Sequence, residues 1–207
     1  MQQHITLEGG KFYHIYNRGI NGEDLFKEER NYDYFLERYA QYVSPVVDTY
    51  AYCLLKNHFH LLVKIKDFND DPKENLPELM KRQNWEQYPD ASKQFSHFFN
   101  SYAQSINTAY KRTGSLFERP FRRKLIDNER YFSRVILYIH SNPQKHGFVK
   151  DFRDYPYSSF WSHLSQKSTK LKREEVINWF GDAEQYSKFH DYTDFVAMKD
   201  DFIIEFD

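Results

Sequence analysis

At 207 residues the chain has room for one compact domain with an appendage and too little for two large catalytic domains. Its 19 Phe, 17 Tyr and 3 Trp, against only 7 Gly and 7 Pro, supply a sizeable core and exclude wholesale disorder; the lone Cys53 excludes a disulfide scaffold or a Cys-rich zinc site and reads as a buried strand thiol. With 29 basic and 30 acidic residues the net charge of −1 excludes an even basic coat, and the lack of an apolar run of about 18 residues or of a signal-peptide pattern predicts a soluble, cytoplasmic protein with no membrane partner.

Lys11–Arg18 is aromatic and β-branched and stops at Gly19, which predicts a first strand and a turn. Asn31 is placed to cap a helix carrying Phe35, Leu36, Tyr39, Tyr42 and Val43 at helical spacing, ending before Pro45. Val47–Leu55 and His58–Lys66 are extended runs separated by Lys56 and Asn57, the length of a tight hairpin in which Asn can take a left-handed conformation. Asp67–Asp90, with three prolines and many acids, reads as a loop holding a short helix near Leu76–Arg82. A long amphipathic helix follows over Ser92–Lys111, then a strand at Arg122–Asp127 and a helix from Glu129 to Ser141, ended by Pro143. Short helices are predicted at Arg173–Phe180 and Asp194–Asp201.

This order is an α+β arrangement, the ferredoxin-like split βαββαβ, with an antiparallel sheet, both helices on one face and the other face left free. A further helix and a C-terminal helical extension follow. Charge is uneven along the chain. Residues 111–153 hold eleven Lys and Arg against four acids, and residues 182–207 hold eight acids against two lysines.

His58 and His60 stand at i and i+2 of a strand and share a face, with Phe59, Leu61 and Val63 on the other. Such a pair can grip a divalent metal if oxygen or amide ligands complete the shell; it can equally be a surface pair or satisfied core histidines. On the helix beginning at Glu129, Tyr138 and Asn142 are four residues apart and share a flank beside the apolar stripe Phe132, Val135, Ile136 and Ile139, a flank that need not face the core. A phenol becomes a useful nucleophile only beside a metal or cations, whereas a structural tyrosine needs one hydrogen bond.

The motifs YHIYNRG, HFHLLV, GSLFERPFRRKLI, YIHSNPQKHGFV and YPYSSF, in this order over Gly9–Phe160, resemble those of the single-tyrosine HUH transposases, most closely the REP-associated tyrosine transposases of bacteria. The resemblance implies a transposase domain over residues 1–160 and an acidic extension over 161–207. It implies His58 and His60 as the HUH pair holding Mg or Mn, Asn142 completing the metal shell, and Tyr138 as the nucleophile that cleaves DNA to a 5′-phosphotyrosine and a free 3′-OH. The implied partner is single-stranded DNA with hairpin-forming palindromic ends, met by a monomer or by a homodimer that exchanges the tyrosine helix. Arg119, Arg122, Arg123, Lys124, Lys145 and His146 then become candidates for phosphate contacts, and Tyr16, Asn17 and Arg18 for base contacts or stacking.

His14, on another strand, and His140, about 200° around the helix from Tyr138, read as structural or phosphate-contacting. The acidic tail reads as a helical cap that packs or oligomerises, or as a mimic of DNA in the basic groove. Two other functions stay open on the residues alone: a non-cleaving, sequence-specific nucleic-acid-binding protein, and a metal hydrolase using water, for which the motif offers no Asp or Glu ligand.

Overall fold

The computed structural model describes residues 6–67, 90–118 and 120–191. Four strands, β1 (Phe12–Arg18), β2 (Val47–Leu55), β3 (His58–Ile65) and β4 (Arg122–Ile126), form an antiparallel sheet in the order β2-β3-β1-β4. Two helices, α1 (Glu29–Tyr42) and α2 (Ala91–Ala109), lie between them in the chain, which gives the expected βαββαβ order. The predicted short helices at Leu76–Arg82 and Asp194–Asp201 lie outside the described residues.

The sheet alternates, and each face has its own core. Tyr13, Ile15, Phe59, Leu61 and Val63 point to the first face and meet Phe35 of α1 and Phe95, Phe98 and Tyr102 of α2. These rings interlock edge to face, with Phe35 and Phe98 centroids 4.7 Å apart, and the Tyr102 hydroxyl donates to the Leu25 carbonyl at 2.8 Å. Burying each such ring contributes roughly 1.5–3 kcal/mol.

The second face is not free, contrary to the sequence-based expectation. It is covered by α3 (Glu129–Lys145), whose Phe132, Val135, Ile136 and Ile139 pack on Ala51, Cys53, Leu55 and Leu62. A sheet with Leu62 and Ala51 on that face has apolar surface to bury, and α3 supplies the matching stripe. Short helices α4 (Phe160–Leu164), α5 (Arg173–Phe180) and α6 (Ala183–Asp191) extend this second core through Phe160, Val176 and Tyr186. None of the described helices is long and apolar enough to cross a membrane.

Three local expectations change. Asn31 is not the cap of α1; it sits in the first turn, where its side-chain oxygen accepts from the Lys27 and Glu28 backbone N–H groups at 2.9 and 3.1 Å. Pro143 does not end α3, because its fixed φ is helical and the one bond it forfeits falls in the last turn. Asn57 closes the hairpin without a left-handed φ. That turn is held from outside: Lys56 O accepts from Leu25 and Phe26 N–H, and Asn57 O accepts from Gly19 N–H at 2.8 Å.

Gly19 ends β1 and bridges to Phe117, tying the segment before β4 onto the sheet. A Cβ there would collide with the Glu23 backbone carbonyl oxygen. Gly19→Ala is therefore expected to lower the unfolding free energy by about 1–3 kcal/mol, read from the urea midpoint; an unchanged midpoint would refute the tight approach.

Candidate active site

Antiparallel pairing sets Arg18 opposite His58 and Tyr16 opposite His60, with His14 opposite Leu62, so His14, Tyr16 and Arg18 share the second face with the histidine pair. On the neighbouring strand Arg122 is opposite Tyr16 and Lys124 opposite His14. Helix α3 lies over this patch and lowers Tyr138 and Asn142 onto it. Tyr138 is 8% exposed and Asn142 fully buried; its ring stands edge-on to His60 at 5.3 Å between centroids and to His14 at 5.8 Å. The flank that could have faced solvent thus faces the histidines.

His58 lies between two side-chain oxygens, with Nδ1 2.8 Å from Asn57 Oδ1 and Nε2 3.3 Å from Asn142 Oδ1, and a neutral ring donates to only one of them; with the proton on the side of the shorter contact, Nε2 is left with a lone pair. Asn142 Nδ2 donates to the Tyr138 carbonyl at 3.4 Å. His60 Nδ1 shares a proton with His14 Nε2 at 2.9 Å, the two rings stacked.

Burial keeps these rings neutral. It lowers His58 from the usual 6.5 to about 4, helped by His146 and Arg18 and opposed by Asn142, and His14 to about 3, helped by Lys124. Burial, then the neighbouring histidines and Lys145, holds His60 well below 6.5. Neutral imidazole is the form that binds a metal.

The donor set fits a divalent cation. With the His58 proton on Nδ1, His58 Nε2 and Asn142 Oδ1 would both offer lone pairs 3.3 Å apart, and two ligands on one octahedral ion at about 2.1 Å and a right angle stand about 3 Å apart. Among the described residues no three His, Cys, Asp or Glu groups form a ligand cluster, so an amide and non-protein oxygens would complete the shell.

At the edge of the patch Lys145 Nζ is 5.6 Å from the Tyr138 ring centre, and the His146 ring stands edge-on to His58 at 4.9 Å. Both are exposed at the end of α3. Arg18 Nε meets Glu118 at 2.5 Å, and Glu118 also lies 3.8 Å from Arg122. Asn17 and Arg123 project to the opposite face: Asn17 donates to the Glu118 carbonyl at 3.1 Å, and Arg123 donates to Ser92 Oγ at 2.8 Å. Arg119 lies outside the described residues. Two participants lie within the motifs but were not singled out for the site by the sequence. His14 was readable from the alternation of His14, Tyr16 and Arg18; Glu118 had no signal beyond being an acid among arginines.

His140 stays out of the site. His190 Nδ1 donates to the Tyr186 carbonyl at 2.8 Å, which leaves its Nε2 to accept from His140 Nδ1 at 2.9 Å. His140 Nε2 accepts from Ser159 Oγ at 2.8 Å, and Ser159 Oγ accepts from Tyr52 N–H at 2.9 Å. This chain locks α3 to β2 and α6.

The fold is shared with the solved structure of a REP-associated tyrosine transposase bound to a REP hairpin, with a TM-score of 0.57 over 80% of this chain and 86% of that one, at 15% identity. In sequence, a Haemophilus influenzae protein named "Putative REP-associated tyrosine transposase" is 33% identical over 113 residues. That stretch is 55% of this chain and 58% of the relative, so the match spans a little over half of each. No protein-family model matches. The chain is thus similar to REP-associated tyrosine transposases, in sequence over a little over half its length and in fold over most of it.

The buried histidines set a pH dependence. His163 and His190 are lowered by burial to about 4, as is His58, and His14 to about 3. The unfolded chain takes up protons near 6.5 that the folded chain refuses, so stability is complete above 6.5 and is lost as pH falls towards 4. The urea midpoint should fall steadily across that window; a flat profile would contradict the buried neutral rings.

Proposed function

We propose that the chain is a metal-dependent transposase that cleaves and rejoins single-stranded DNA, with Tyr138 as the covalent nucleophile and His58, His60 and Asn142 holding Mg or Mn. The observation that carries this reading is the approach of His58 Nε2 to Asn142 Oδ1 beneath the helix that also presents Tyr138 to His60. The name of the curated relative and the REP hairpin held by the structural neighbour support the same reading. The substrate would be DNA whose palindromic ends fold into hairpins, and the reaction a step in DNA transposition or REP-element mobilisation in the bacterial cytoplasm.

A bound cation would polarise the scissile phosphate and offset charge developing on its oxygens. Tyr138 Oη attacks phosphorus in line with the leaving oxygen: the Oη–P bond forms as the P–O3′ bond breaks. The phenol loses its proton and the departing oxygen gains one, leaving a 5′-phosphotyrosine and a 3′-OH. Attack by another 3′-OH reverses the step without ATP. Lys145, beside the ring, would offset the phosphate charge. His14 accepts from His60 Nδ1, which leaves Nε2 as the ligand atom and fixes the ring plane.

With labelled hairpin DNA from the flanks of its own gene and Mg or Mn, the protein should form an adduct that survives denaturation. Tyr138→Phe and chelation should each abolish the adduct, and Tyr138→Phe should keep DNA binding. Binding without any adduct over several flank sequences would instead indicate a non-cleaving nucleic-acid-binding protein on the same fold.

Calorimetry with Mn alone separates the metal from the chemistry. His14→Ala should weaken Mn binding about 10- to 100-fold, whereas His14→Asn, which keeps an acceptor, should restore much of it. Equal affinity in all three proteins would remove His14 from the site.

A further inference from the structure

Between Arg112 and Asp127 the sequence holds one acid, Glu118, among Arg119, Arg122, Arg123 and Lys124. Its backbone is pinned to the end of β1. Ile20 N–H donates to the Leu116 carbonyl at 2.9 Å, Gly19 bridges to Phe117, and Glu118 N–H donates to the Arg18 carbonyl at 3.0 Å. Asn17 Nδ2 in turn donates to the Glu118 carbonyl at 3.1 Å. The carboxylate is held less firmly. Oε1 accepts from Arg18 Nε at 2.5 Å, whereas Oε2 stands 3.8 Å from Arg122 Nη2, beyond hydrogen-bond range. The Arg18 and Arg122 side chains are each 30% exposed and that of Glu118 23%, so water screens both pairs. The Glu118 side chain is therefore able to swing outwards while its backbone stays in place, and Arg122 keeps its bond to the Tyr16 hydroxyl.

Both arginines lie on the histidine face. Arg18 stands opposite His58, and Arg122 opposite Tyr16, which is itself opposite His60. Two guanidiniums turned towards one point suit a singly charged group with two free oxygens. A carboxylate is such a group, and so is a phosphate diester. The tetrahedral phosphate has the wider span between its oxygens, which matches the gap that the flat carboxylate leaves at Arg122.

We propose that Glu118 is a stand-in for a backbone phosphate: it occupies the fork of Arg18 and Arg122 in the free protein and is displaced when a DNA strand engages the histidine face. The proposal rests on the DNA-acting reading above and adds an internal competitor to it. Glu118 is then a positioning residue that acts through the two arginines. It keeps the fork formed, and it yields to a phosphate that has further contacts on the same face while excluding small free anions that have none.

The test is fluorescence anisotropy with the full chain in chelator, which prevents cleavage, and a labelled hairpin with single-stranded flanks from beside its own gene. Glu118→Gln keeps the shape and removes the charge, so it should bind about three- to tenfold tighter. Its log Kd should also depend more steeply on log salt, by about 0.7, because no displaced carboxylate takes up a cation. Glu118→Ala should change affinity in the same direction. In a protein that also carries Arg18→Gln and Arg122→Gln, compared at low salt, the gain should vanish, since no fork is left to compete for. Circular dichroism checks that each variant folds. Weaker binding by Glu118→Gln would mark a residue that only props the arginines and would overturn the stand-in, as would unchanged binding. A gain of equal size without the arginines would reduce Glu118 to net charge and overturn it too. Each of those results leaves the DNA reading intact. No binding by either the wild-type chain or Glu118→Gln would overturn the DNA reading, and the stand-in with it.

Discussion

The site depends on the register between β1 and β3. Tyr16 stands opposite His60 and Arg18 opposite His58 because the two strands pair as they do, and a slip of one residue would turn the imidazoles into the phenylalanine core. Phe59, Leu61 and Val63 support that register by filling the core against α1 and α2. The burial of one face therefore fixes the chemistry of the other.

Desolvation then sets the charge state. A helix laid over three imidazoles removes water from them, and the neutral form follows. Cations remain at the margin, where Arg18, Arg122, Lys124 and Lys145 ring the patch. Glu118 holds Arg18 and Arg122 in place, and its guanidinium contacts fix the rim geometry more than they stabilise a half-exposed surface. A neutral, dry centre with a positive rim would suit the cation and phosphate diester of the proposed reaction.

Helix α3 serves both sides of itself. Tyr138 and Asn142 face the sheet, while His140, on the far side, is fixed by Ser159 and His190. The tautomers run in one direction from the Tyr52 amide to the Tyr186 carbonyl, so the short C-terminal helices share in holding the tyrosine helix at its angle. Truncation within α6 would loosen that hold.

The sequence by itself determined the element order, the pairing of His58 with His60 on one strand face, and the spacing of Tyr138 and Asn142 on one helix. Each is a consequence of a local period, 2.0 along a strand or 3.6 along a helix, that any chain must obey. The motif order also carried the relation to the REP-associated tyrosine transposases. Only the tertiary structure decided that α3 covers the second face, that His14 joins His60 across the strands, that Asn17 and Arg123 turn away from the histidines, and that Glu118 clasps Arg18 from 100 residues away. Those contacts form between segments distant in the chain, and a periodicity that repeats every two or four residues carries no information about which distant surface it will meet.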